Sequence, residues 1–231
     1  MKQLLALLLF LPSLCLAQVP DYVPAEGLIG WYPLNGDAND LGPLMLHGTV
    51  HGPAVSEDRF GQPAAMSFDG QDDYLSIPQT TITGDDSRTF SVWIKGNLDG
   101  GGYALSYGPE LANGGGCMAG NHLEIQLGDC QITGVGINVN CTQKRAETPA
   151  ILNNTWHHVV MVYDGGGFSE VQLWLDGTLL PEPTCTQGTF PPALTTSNLF
   201  GLSVGKRNYD PAPGHFDGSI DDVGVWNRAL S

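Results

Sequence analysis

The chain reads as an all-β protein, a sandwich of antiparallel sheets, on three observations. Apolar residues alternate with polar ones over short runs, as at Leu123, Ile125 and Leu127, at Val135, Ile137 and Val139, and at Val171, Leu173 and Leu175. That period of two is the signature of strands with one buried face. Glycine, at 31 residues, and proline, at 16, break these runs together with Asn and Asp, the pattern of many short strands joined by turns. Helical periodicity never lasts beyond a turn or two, and there is no repeat, heptad or low-complexity tract. The length suits one sandwich rather than two domains.

The elements follow in order. Residues 1–17 carry Lys2, an apolar run broken by Pro12, and small Cys15 and Ala17 before Gln18, which reads as a secretory signal peptide. The run is too short for a membrane span. Residues 18–26, with Pro20 and Pro24, form an extended leader, and 27–231 form the domain. Leu123 to Leu127 and Val135 to Val139 make a hairpin around Gly128-Asp129. His157 to Asp164 and Val171 to Asp176 make another pair, the second strand ending in Asp176-Gly177, a dipeptide that supplies the φ > 0 positions of a tight turn.

Charge and cysteines narrow the class. The formal charge is −15, which disfavours nucleic acid and anionic membrane as partners. Many of the carboxylates sit in Gly/Asn-rich loops, which suits calcium as well as mere solubility. With Cys15 removed, Cys117, Cys130, Cys141 and Cys185 remain, an even count that in an exported protein favours disulfides over a zinc site. Of the three connectivities, strand geometry favours Cys117–Cys141 at the open end of the first hairpin and Cys130–Cys185 at its turn end.

Five ordered segments carry a family resemblance: Trp31 to Gly42, Ala64 to Ile77, Trp156 to Leu180, Leu202 to Asn208 and His215 to Ser231. Together they resemble the laminin-G-like and pentraxin group of concanavalin A-type jelly rolls over roughly Gly27 to Ser231. The resemblance implies a two-sheet antiparallel jelly-roll sandwich of the concanavalin A-like lectin/glucanase type, with first and last strands side by side and a calcium ion near them. By that resemblance Asp40, Asp69 and Asp221 are the expected metal ligands, with Asn35 and Asp73 beside them. The alternative is that these residues only make Asx-turns. The calcium pattern of pentraxins is absent: Gly120 stands where an acid belongs before Asn121, and Lys206-Arg207-Asn208 replaces an acidic run.

With Leu123, Ile125 and Leu127 inward, Glu124 and Gln126 face outward, as does Asn138 on the next strand and Gln172 and Trp174 on the later one. An indole offers an apolar face to sugar C–H groups while amides and acids bond hydroxyls, so these five are the expected ligand-binding residues. The alternative is a solvated or loop-covered face. His157 and His158 point to opposite faces and cannot share a metal. No pair of carboxylates with glycosidase spacing, no nucleophile elbow and no phosphate loop occurs, so no catalytic residue is assigned.

The sequence thus leads to a secreted or cell-surface, calcium-stabilised recognition module that binds glycans or glycoprotein surfaces, without nucleic-acid binding, membrane insertion or catalysis. Further domains of a longer chain are among the partners this reading allows. The other readings are an adhesive protein–protein module with no sugar site and a divergent glycanase.

Overall fold

The computed structural model describes residues 18–78, 80–97, 101–108, 122–129, 132–138, 143–146, 151–181, 185–187, 189–197, 201–208 and 214–231. The expected signal peptide and the cysteine pairings lie outside what is described, Cys185 being placed only as backbone. In chain order the strands are β1 Leu28–Tyr32, β2 Thr49–His51, β3 Ala54–Ser56, β4 Ala65–Asp69, β5 Tyr74–Ile77, β6 Arg88–Gly96, β7 Gly102–Tyr107 and β8 Leu123–Asp129. They continue with β9 Ile132–Asn138, β10 Gln143–Ala146, β11 His157–Tyr163, β12 Gln172–Leu175, β13 Thr178–Leu179, β14 Cys185–Gln187, β15 Leu202–Val204 and β16 Asp217–Trp226. None of the described helices is long and apolar enough to cross a membrane.

Two antiparallel sheets result, as the alternation predicts. The first runs β13-β12-β11-β6-β16-β4-β3, with β1 also on β16; the second runs β14-β10-β9-β8-β7-β15-β5-β2. β16 therefore organises the first sheet: β6 lies along one side, while β4 pairs with its first half and β1 with its second. First and last strands are adjacent. The change of partner coincides with a bulge, where Asp221 to Gly224 on β16 spans only Trp93 to Ser91 on β6. An extra residue of this kind bends a strand and re-aims its side chains. Here it is Asp222, held at φ 46°.

The inward faces form one apolar core that includes Phe68, Phe90, Tyr107, Ile125, Met161, Leu173 and Val225. A smaller cluster of Val23, Leu28, Trp31 and Trp226 lies on the outer side of the first sheet. The leader packs there, fastened where Trp226 Nε1 donates to Pro24 O at 2.7 Å. Asp176 and Gly177 adopt φ 50° and 77° and close the β12–β13 hairpin, as the dipeptide predicts.

Arg88 is a buried cation at the start of β6, 0% exposed. Its Nε donates to Asp86 O at 2.7 Å, Nη2 to Gly84 O at 2.8 Å and Nη1 to Thr196 Oγ1 at 2.6 Å. The guanidinium ties the 83–86 turn to Thr196, beside the Gly84–Thr196 bridge. Replacing it would leave several buried acceptors bare, each costing about 1–3 kcal/mol. Arg88→Met should therefore lower unfolding free energy by ~3 kcal/mol or more in urea titration. A loss below ~1 kcal/mol would show that the turn rearranges to meet water.

Candidate carbohydrate site and the two outer faces

The outer face of the first sheet carries accessible hollows. Leu173 and Leu175 enter the core, so Trp174 and Gln172 point outward on β12. Trp174 is partly exposed, and its Nε1 donates to Gln172 Oε1 at 3.3 Å, which orients both side chains. Beside them lies a groove of about 530 Å³, bounded by Asp164, Glu170 and the Ala229–Ser231 segment. That segment is anchored where Leu230 N donates to Thr89 Oγ1 at 3.0 Å. On the other side of Trp174 a second hollow of about 290 Å³ reaches His158 and Val160. An indole, an amide and two carboxylates in one concavity present both the apolar face and the acceptors that sugar rings require.

Across the strands the same face becomes polar and closely packed. His158 accepts from or donates to Ser91 Oγ at 2.7 Å and stacks on Trp93 at 4.9 Å. Burial lowers its pKa. His157, turned the other way as expected, meets Asp176 at 2.8 Å. Beyond Trp93, Arg59 reaches over the indole at 4.7 Å and donates to both Asp221 Oδ2 and Asp222 Oδ2 at 2.7 Å. Burial and the neighbouring Asp222 push Asp221 up to about 7, against the pull of Arg59; burial also raises Asp222. A cleft of about 330 Å³ opens there, with Asn35 in its wall.

The second sheet differs. Glu124 and Gln126 do point away from the core, but they are 0% and 6% exposed. Glu124 accepts from Ser106 Oγ at 2.9 Å and pairs with Arg207 at 3.2 Å. Asn208 N donates to Ser106 Oγ at 3.0 Å, so the Lys206–Asn208 segment seals this face. Burial pushes Glu124 up to about 7, opposed by Arg207 and Ser106. Asn138 pairs with Glu124 through the β8–β9 ladder, and its side chain lies outside what is described.

The five expected ligand contacts therefore do not share a face. Glu124, Gln126 and Asn138 belong to the second sheet, Gln172 and Trp174 to the first, and the outer faces of a sandwich look in opposite directions. The segment around Ile151 and Leu152 carries the chain from β10 to β11 and thus changes sheets. Two strands with matching alternation look alike in sequence whichever sheet they join.

The expected metal ligands are separated too. Asp40 is buried, its carboxylate accepting from Trp31 N at 2.8 Å, Gly42 N at 2.7 Å and Leu46 N at 2.8 Å, the role of a loop staple. Asp221 is held by Arg59, and Asn35 lines that cleft. Asp69 and Asp73 do come together, joined by Asp72, which the sequence reading missed although it sits between them. Among the described residues, these three form the one acidic group whose ligand oxygens lie within 4.8 Å of one another. Asp69 Oδ1 accepts from Gln71 N at 2.8 Å, and Asp73 Oδ2 from Asp69 N at 3.0 Å. Burial, together with repulsion from Asp69 and Asp72, raises Asp73.

These features define a two-sheet β-sandwich with one sealed and one accessible outer face. The laminin-G-type family model described as the concanavalin A-like lectin/glucanases superfamily matches residues 69–231, and the chain belongs to that family. No curated protein matches it. Among solved structures it is similar to domain 4 of AbnA, a GH43 extracellular arabinanase from Geobacillus stearothermophilus, in complex with arabinotriose. Identity there is 17%, TM-score 0.59, over 88% of this chain and 94% of that one. It is also similar to a Trypanosoma rangeli sialidase mutant displaying trans-sialidase activity, at 14% identity and TM-score 0.55, over 90% of this chain and 32% of that one. The binding domain of Paraclostridial Mosquitocidal Protein 1 matches at 12% identity and TM-score 0.53, over 90% and 50%. Likenesses at this identity establish the fold.

Glu124 gives a test of the sealed face. Its folded pKa lies above its unfolded value, so the folded protein holds more protons between about 4.5 and about 7. Stability then falls as pH rises through that window. In urea titrations at pH 5 and pH 8, the wild type should lose more stability over the interval than Glu124→Gln, which has no such proton. Equal losses would mean that the carboxyl titrates normally and is not sealed.

Proposed function

We propose that this chain is a secreted or cell-surface, non-catalytic module that binds carbohydrate on the outer face of its first sheet. The observation that carries this reading is Trp174, partly exposed in a groove of about 530 Å³ beside Gln172, Asp164 and Glu170. The similar arabinanase domain, whose structure contains arabinotriose, supports it. A non-catalytic role is supported by Glu124, whose pKa is shifted by burial and, among the described residues, by Arg207 and Ser106 rather than by a second carboxylate. Glycosidases need two carboxylates flanking the scissile bond.

Trp174→Ala should weaken retention on immobilised glycans, arabinotriose among them, by tenfold or more while leaving the melting curve cooperative. Unchanged retention would place the site elsewhere, and unfolding would make Trp174 a core residue. Capture of protein partners without any glycan retention would favour the adhesive reading.

Calcium belongs to the same proposal, now at Asp69, Asp72 and Asp73. The donor set fits a hard cation: three carboxylates with ligand oxygens within 4.8 Å, whose mutual repulsion a cation would relieve. Binding to the native state alone adds about 2.7 kcal/mol at a hundredfold excess over Kd. Calcium should thus raise the melting temperature by roughly 5–10 °C, chelator should reverse this, and Asp69→Ala should remove it. Identical curves with calcium and chelator would leave the three acids as turn residues.

A further inference from the structure

The cleft of about 330 Å³ beside Arg59 has no part in the Trp174 groove. We infer that it is a second carbohydrate subsite, shaped for a neutral, hydroxyl-bearing ring. This rests on the reading of the module as a sugar binder and adds a separate place of contact.

Four observations lead there. First, the size lies at the lower end of small-ligand sites, roughly 300–1,000 Å³. Second, aromatic walls stand open: Phe60 is 71% exposed and Tyr22 69%. Phe60 is not on a loose loop, because Asp58 Oδ1 accepts from Phe60 N at 2.7 Å and from Gln62 N at 2.8 Å. Arg59 lies 4.7 Å from the Phe60 ring, which further fixes it. Keeping a large ring in water on a rigid turn suits stacking by a partner that arrives later.

Third, Trp31 forms part of the cleft wall and is 4% exposed, yet its Nε1–H has no acceptor among the described residues. Trp226, the other indole of the same cluster, does have one in Pro24 O. A buried donor without a partner is costly, and a hydroxyl oxygen admitted by a small shift of the cleft wall would satisfy it. Fourth, the polar groups disfavour an anion and give a bare ammonium ion no complete match. Asp58, Asp221 and Asp222 outnumber Arg59, which disfavours an anion. An ammonium ion would answer the carboxylates but has no lone pair for the indole N–H. A sugar ring meets every requirement: C–H faces for Phe60 and Tyr22, an acceptor for Trp31, and hydroxyl donors for Asn35 and Asp222.

The experiment follows the indole N–H signals of the five tryptophans by two-dimensional NMR on the intact domain, assigned through scalar and nuclear Overhauser connectivities. The probes are arabinotriose, xylotriose, cellotriose and maltotriose, with N-acetylneuraminic acid as the anionic control. At least one neutral trisaccharide should move both the Trp31 and Trp174 signals, and the anion should leave Trp31 in place. Phe60→Ala, at an exposed position, should weaken the Trp31 titration about tenfold and leave the Trp174 titration unchanged. A sugar that moves Trp174 but not Trp31 would overturn the second subsite alone. Movement of Trp31 alone would overturn the groove reading and keep the cleft. A panel that moves neither would overturn both.

Discussion

Arg59 bridging Asp221 and Asp222 is the interaction on which the accessible face depends. β16 must serve β4 with its first half and β1 with its second, and it makes the exchange through one extra residue. That bulge places two carboxylates side by side on the outer surface, with Asp222 at φ 46°. Burial and mutual repulsion oppose such a pair. One guanidinium contacting both acids at 2.7 Å makes the geometry tolerable and closes a link from the β3–β4 turn to the last strand. A further contact, over Trp93, extends the link to β6 and through His158 to β11. The leader and the Ala229–Ser231 segment then lie against a surface already fixed.

The two outer faces answer the problem of a sandwich's polar side in opposite ways. On the second sheet a buried carboxylate, Glu124, is matched to Arg207, Ser106 and the Lys206–Asn208 segment, leaving little for a ligand to approach. On the first sheet the central strands are filled by stacked rings and ion pairs, while the margins stay open. Trp174 stands near one margin, and the Arg59 cleft opens beside the β16 bulge and the β3–β4 turn. The chain thus has two separate hollows on one face and a closed back.

Much of this was legible in the sequence, and the reasons are local. Alternation at Leu173 and Leu175 or at Ile125 and Leu127 correctly gave the buried side of each strand, and Asp176-Gly177 gave its turn. The resemblance of five ordered segments gave the fold and the adjacency of first and last strands. What local pattern does not encode is which sheet a strand joins. Trp174 and Gln126 therefore look like neighbours in the sequence although the β10–β11 connection puts them on opposite sides. Nor does composition reveal the partner of an acid. Asp40 is saturated by three backbone N–H groups and Asp221 by Arg59, so neither is left for a shared cation; Asp69 and Asp73, four residues apart around a turn, do meet. Arg59 itself gave no signal, because its role comes from a contact more than a hundred and sixty residues away.

The central claim is that sugars meet this protein on the face of the first sheet. A crystal structure of the domain soaked with whichever neutral trisaccharide it retains tests this most directly. The account predicts a sugar ring against the indole of Trp174, with hydroxyls within hydrogen-bonding distance of Gln172 and of Asp164 or Glu170. A trisaccharide seated instead on the second sheet, displacing Arg207 from Glu124, would contradict it.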